Sequence, residues 1–178
     1  MTGVRVGHVA VTDEGSLPER GSVGTGVTAV LPHGGSTCSS TGLQPPSTSS
    51  THSRGRPGQP QVPELGVLET PVAITGTLSV GTVFEGPVQH ALTTSPDTGR
   101  SAGTVNPVAA ECSDARLSDI RVRAIQPGNV FQAISAATTG PVAEGSVGGT
   151  GRICYGWKAG VGTAAQSPPS VYGGGSGG

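Results

Sequence analysis

Valine-rich alternation opens the chain. Residues 4–11, VRVGHVAV, and 25–31, TGVTAVL, alternate apolar with small or polar positions at a period of two, which predicts two β-strands joined by a loop over 13–24. Pro32 ends the second strand because proline has no N–H to give a ladder. From Gly34 to Val62 the text becomes GGSTCSSTGLQPPSTSSTHSRGRPGQPQV, with no apolar periodicity of either kind, and it reads as a Ser/Thr/Pro-rich loop or disordered insert. Two β-branched runs, 71–75 and 79–83, predict a further pair of strands around a glycine-containing turn. Pro87 opens PVQHALTT, where Val88, Ala91 and Leu92 fall at helical spacing, and a polar break follows over 94–105. Val108 to Ala110 is a short strand candidate. The best-patterned helix spans 127–139, with Pro127 in its first turn, Val130, Phe131, Ile134 and Ala137 on one face, and Gly140 as its stop. In RICYGW, Ile153, Tyr155 and Trp157 alternate onto one face of a predicted core strand, and residues 167–178 form a flexible Gly/Ser-rich tail.

Strands mixed with two or three helices, without strict βαβ alternation, place the chain in an α/β or α+β class. At 178 residues it reads as a single domain over 1–178. Only 33% of residues are hydrophobic and 3% aromatic, so the core must be built from Val, Ala, Ile and Leu. Such side chains bury little area each, at roughly 25 cal/mol per Å2, which makes a partner chain or an oligomer the natural source of missing core.

A formal charge of −1 and no cluster of Lys or Arg exclude a phosphate-binding footprint, so no nucleic-acid partner is expected. No apolar run reaches the ~20 residues of a membrane span, and MTGVRVGHVAV has no export pattern. The expectation is a soluble, cytoplasmic chain. Cys38, Cys112 and Cys154, odd in number and widely spaced, fit neither a disulfide framework nor a metal pair; they read as reduced thiols, with Cys154 a small buried side chain. His8, His33, His52 and His90 are scattered without ligand spacing, so no metal and no cofactor is expected. His8 reads as a satisfied structural residue of a strand, and His52 as solvent-exposed.

The glycines invite phosphate readings, which fail on context. Gly24, Gly26 and Ala29 match G-x-G-x-x-A, yet they lie in a predicted strand where the dinucleotide fingerprint needs a helix start. The run Gly145 to Gly151 lacks Lys-Ser or Lys-Thr at the spacing of a P-loop. No G-x-S-x-G lies at a strand-to-helix turn.

Five segments in order, GVRVGHVAV, TGVTAVLPHGG, LETPVAITGTLSVGTV, PVAAECSDARLSDI and GPVAEGSVGGTGRICYGWKAGVGTAA, resemble the larger subunit of the P1 peptidase family, the L-aminopeptidase/D-esterase and β-aminopeptidase group. The resemblance implies a four-layer αββα sandwich similar to the N-terminal nucleophile hydrolases. It further implies a precursor that cuts itself before a Ser or Thr, which then becomes the nucleophile of a small β subunit. A freed α-amine beside that hydroxyl supplies the general base that a bare Ser or Thr lacks. No catalytic nucleophile is then expected on this chain, and Gly178, after GGGSGG, matches a self-cleavage boundary as readily as a linker. Oligomers of heterodimers acting on peptide or amide substrates are implied as well.

The family pattern A-E-T-Y-D-G-x-L-N-D-I falls on Ala110 to Ile120. Glu111 takes the position of the carboxylate expected to hold the substrate's free amino group. Asp114, Leu117 and Asp119 match; the family's Tyr, expected near the reacting carbonyl, falls on Ser113, and its Asn on Ser118. Beside these roles stand plainer ones. Glu111 also reads as a solvated loop carboxylate, and Asp114 and Asp119 as turn and cap residues. Gly148, Gly149 and Gly151 read either as a pocket floor, with Gly148 and Gly149 in substrate binding, or as a turn. Three functions follow: the α subunit of a self-processed aminopeptidase, a degenerate or truncated non-catalytic homologue, and an acyl-transfer or amidohydrolase relative on the same scaffold.

Overall fold

The computed structural model describes residues 3–14, 21–32, 68–145 and 150–164. Four strands, β1 (Arg5–Asp13), β2 (Val23–Leu31), β3 (Val72–Thr75) and β4 (Val108–Glu111), form one sheet in the order β1-β2-β3-β4. The first two make an antiparallel pair with Arg5 opposite Leu31 and Asp13 opposite Val23. β3 runs antiparallel to β2, and β4 parallel to β3 after a helical crossover. That crossover is α1 (Val80–Thr94), entered through a 3-10 turn at Thr77–Ser79; α2 (Pro127–Ser135) packs beside it. The predicted strands at 4–11, 25–31, 71–75 and 108–110 all form, with ends shifted by one or two residues. Gly24, Gly26 and Ala29 all lie inside β2, as the rejection of the dinucleotide fingerprint requires.

One face of the sheet carries the core. Val27, Ala29 and Leu31 of β2, Ala73 of β3 and Ala109 of β4 meet Val83 of α1 and Val130, Ala133 and Ile134 of α2. Because these side chains are small, the layers touch through backbone. A Cβ on Gly7 would stand 2.0 Å from the Ala133 carbonyl oxygen, and one on Gly86 would stand 2.4 Å from a Val130 methyl. Glycine at both places lets α2 sit directly on β1 and on α1.

Three expectations fail. The β-branched run 79–83 is the first turn of α1, not a strand. Val80, Val83, Phe84, Pro87 and Ala91 recur at helical intervals and face the core, so tertiary burial overrides local β-propensity. Pro87 accordingly lies inside this helix and does not open it, while Leu92 is exposed. The second helix stops at Ser135, four residues short of the predicted end, because Thr138 turns away to bridge Val6 of β1. Its start is held by a reciprocal pair, Gln126 with Asn129.

The third failure is RICYGW, which is a two-stranded hairpin and not a core strand: β5 (Ile153–Cys154) pairs with β6 (Trp157–Lys158) across Tyr155 and Gly156. Both turn residues have positive φ, 51° and 82°, as a tight two-residue hairpin demands. Tyr155 is 98% and Trp157 79% exposed, and Cys154, expected inside, is exposed too. Two-residue strands are too short to commit their alternation to a core face. The insert at 34–62, the tail at 167–178, Cys38, His33 and His52 lie outside the described residues. No described helix is long and apolar enough to cross a membrane.

His8, expected to be satisfied, is so at one nitrogen only: its Nδ1 lies 2.9 Å from Thr28 Oγ1, while its Nε2 is buried with no partner among the described residues. Burial holds His8 below the ordinary imidazole range; burial first and the nearby Arg5 second do the same for His90. A depressed native pKa means that the unfolded chain takes up protons first on acidification. The contribution is therefore intact above the unfolded value of 6.5 and is lost as pH falls through the lower native values. Two predictions follow from this packing. The melting temperature should drop between about pH 7.5 and about pH 5.5, and His8→Asn should flatten that dependence in a thermal series. Gly86→Ala should destabilise by about 1–3 kcal/mol through overpacking, and urea titrations should show that Val130→Ala added to it recovers part of the loss.

Candidate functional site

The parallel strands β3 and β4 end side by side, Thr75 in register with Glu111, and the chain leaves both ends toward one place. After β3, Gly76 turns into the 3-10 segment that starts α1. After β4, Cys112 N–H donates to Thr75 O at 2.8 Å, extending the ladder by one residue before the loop 113–119 begins.

That loop is tied to β2. β3 pairs only with Val27–Val30, so the backbone groups of β2 before Val27 need other partners on that edge. Ser118 Oγ accepts from Gly24 N–H at 3.1 Å, and Thr75 Oγ1 donates to Gly26 O at 2.9 Å. Asp119 N–H donates to Ser22 O at 2.8 Å. The Asp119 carboxylate takes the Arg121 N–H at 3.1 Å and the Gly21 N–H at 3.4 Å, capping the 3-10 turn Ile120–Val122 as its residue type suggests.

Asp114 behaves differently from a surface turn residue. Its carbonyl accepts from Leu117 and Ser118 N–H, which is turn geometry, but its side chain is only 4% exposed. Two glycines make the space. A Cβ on Gly76 would lie 2.4 and 2.6 Å from the two carboxylate oxygens, and one on Gly151 would lie 2.2 Å from Gly24 O and 3.0 Å from Asp114 Cβ. Gly151 is thus a point of backbone contact between β2 and the base of the β5–β6 hairpin. Just past it, the Arg152 guanidinium meets Cys112 Sγ.

A cleft opens among Thr25, Gly76, Ser79, Asp114, Ser118 and Arg123, with about 240 Å³ of space including its mouth. Leu78 and Ile120 supply apolar wall. Glu111 is half-buried at the end of β4 and Ser113 is exposed two residues on, so both stand on the strand end and loop that lead into the cleft, while neither lines it. Gly148, Gly149 and Gly178 lie outside the described residues. The sequence holds no local sign that Asp114 is buried and Asp119 only half-buried; the distinguishing feature is a pair of glycines, 76 and 151, far from Asp114 in the chain.

A family model for peptidase family S58 matches residues 1–174. The β-peptidyl aminopeptidase BapA of Sphingosinicella microcystinivorans is 38% identical over 169 residues, covering 93% of this chain and 41% of that protein. Among solved structures, a β-aminopeptidase of Burkholderia sp. superposes with a TM-score of 0.77 at 32% identity, over 98% of this chain and 48% of the other. The L-aminopeptidase D-Ala-esterase/amidase of Ochrobactrum anthropi, a variant of the Ntn hydrolase fold, gives 0.71 at 26% identity over 89% and 44%. The mixed α/β chain therefore shares the Ntn-hydrolase-type fold of these neighbours while spanning less than half the length of each. With a family model matched along nearly all of its sequence, the chain belongs to peptidase family S58.

Proposed function

We propose that this chain is the α-subunit portion of a self-processed aminopeptidase that hydrolyses N-terminal amides or esters of short peptides. The observation that carries the reading is the position of Ala110–Ile120: the segment matching the family's A-E-T-Y-D-G-x-L-N-D-I pattern forms the end of β4 and the loop bordering the cleft. Two of the relatives it resembles bear the names β-peptidyl aminopeptidase and β-aminopeptidase.

In this reading a Ser or Thr hydroxyl at the new N-terminus of a small partner chain attacks the substrate carbonyl, and its own α-amine takes the proton. The tetrahedral oxyanion collapses, the leaving amine is protonated, and water then releases the acyl group from the hydroxyl oxygen. Donors around the oxyanion govern the rate, each worth about 3 kcal/mol. Glu111 serves the substrate's amino group, and Gly148 and Gly149 are further substrate-binding residues in this reading. The chain pairs with that small subunit, and the pairs assemble further, supplying core that its small side chains lack.

A second reading, a non-catalytic homologue, draws on one residue. Ser113 stands where the family has Tyr, and a hydroxymethyl group cannot reach where a phenol does. Intact mass of the complete protein decides between the two. The aminopeptidase gives a second polypeptide beginning with Ser or Thr and hydrolyses β-alanyl-p-nitroanilide; a single uncut species without hydrolysis overturns it. Where hydrolysis is present, Ser113→Tyr should raise kcat by about 10-fold or more with little change in KM, and an unchanged kcat would remove this position from the reacting carbonyl.

A further inference from the structure

We infer that Glu144 is a positioning residue: its carboxylate fastens the lobe formed by residues 144–145 and 150–163 in the place where Gly151 and Arg152 brace the loop that borders the cleft. The kinetic consequence rests on the aminopeptidase reading; the placement of the lobe does not.

The lobe is closed at two levels. At its tip β5 and β6 pair, and below them Ala159 N–H donates to Arg152 O at 2.9 Å. At its base Gly145 bridges Val161, the Gly145 N–H donating to Val161 O at 2.9 Å. Residues 146–151 separate these levels on one arm and Gly160 alone on the other. The base is therefore out of register with the tip, and pairing cannot spread from one to the other. A pair of two-residue strands has little stability of its own, so the base needs a separate fastening.

Glu144 supplies it. Its Oε1 accepts from Thr163 N–H at 3.1 Å and from the Thr163 hydroxyl, two charge-assisted bonds across the base beside the Gly145–Val161 rung. Next to that rung a Cβ on Gly160 would coincide with the Gly145 carbonyl, so the two arms touch through backbone. Ala159 follows and holds Arg152, whose guanidinium lies on Cys112 Sγ; Gly151 rests on Gly24 O and on Asp114. Each contact adjoins the next, from an exposed carboxylate at 144 to Asp114 in the cleft wall. Opening the base frees Arg152 to leave Cys112 and Gly151 to leave Asp114, which loosens the segment after β4.

Cysteine labelling reads the position of the lobe without turnover. In the complete protein treated with N-ethylmaleimide and followed by peptide mass, exposed Cys154 should react quickly and half-buried Cys112 slowly. Glu144→Ala should speed labelling of Cys112 about tenfold, as expected when a charge-assisted contact that opposes local opening is lost, and leave Cys154 unchanged. Glu144→Gln keeps an oxygen acceptor for Thr163 and should restore slow labelling. In hydrolysis assays Glu144→Ala should raise KM about tenfold with kcat nearly constant, and Glu144→Gln should recover most of that rise. Cys112 labelling that stays slow in Glu144→Ala, a defect that Glu144→Gln does not repair, or a fall in kcat at constant KM overturns the inference. A wild type without hydrolysis overturns the aminopeptidase reading alone, and the labelling rates then decide the role of Glu144.

Discussion

Much of this molecule depends on one incomplete strand pairing. β3 is four residues long and β2 is nine, so the first part of β2 has no neighbouring strand on that side. Leaving its buried backbone groups unpaired is unfavourable by roughly 1–3 kcal/mol each. The loop after β4 takes their place, with Ser118 on Gly24 and Asp119 on Ser22. The hydrogen bonds that complete the sheet are thus the ones that fix the loop carrying Ser113 and Asp114. Sheet completion and site construction are the same event.

Close backbone approach follows from the scarcity of large side chains. Gly7 under α2, Gly86 at the helix crossing, and Gly76 and Gly151 around Asp114 each occupy a place where a Cβ would crowd another backbone or side chain. The high glycine content, which could be taken for linker or disorder, in part builds contact surfaces. In the described residues this substitutes nearness of layers for bulk of side chains.

Legibility in the sequence tracked how local the deciding physics is. β1 and β2 were readable because nine-residue strands are long enough to leave a Val-rich alternation in the sequence. The start of α1 was not, since Val80 and Val83 are β-branched and only packing against the sheet makes them helical. The hairpin misled for the opposite reason: Ile153, Tyr155 and Trp157 alternate, but a positive-φ turn at Tyr155 and Gly156 divides the run before it can form one face. For the site, family resemblance located the segment Ala110–Ile120, while nothing in its letters separates the two aspartates. Their difference in burial is set by glycines after β3 and before β5, which are distant in sequence and adjacent in space.

The exposed hairpin has an optical consequence. Trp157 is the chain's single tryptophan and is already 79% exposed in the folded state. Its emission is therefore nearly that of a solvated indole, and loss of the small-residue core leaves it almost unchanged. Intrinsic fluorescence of this chain reports on whatever comes to cover Tyr155 and Trp157, while folding of the sheet is followed by circular dichroism. One indole beside a two-residue turn separates the signal of assembly from the signal of folding.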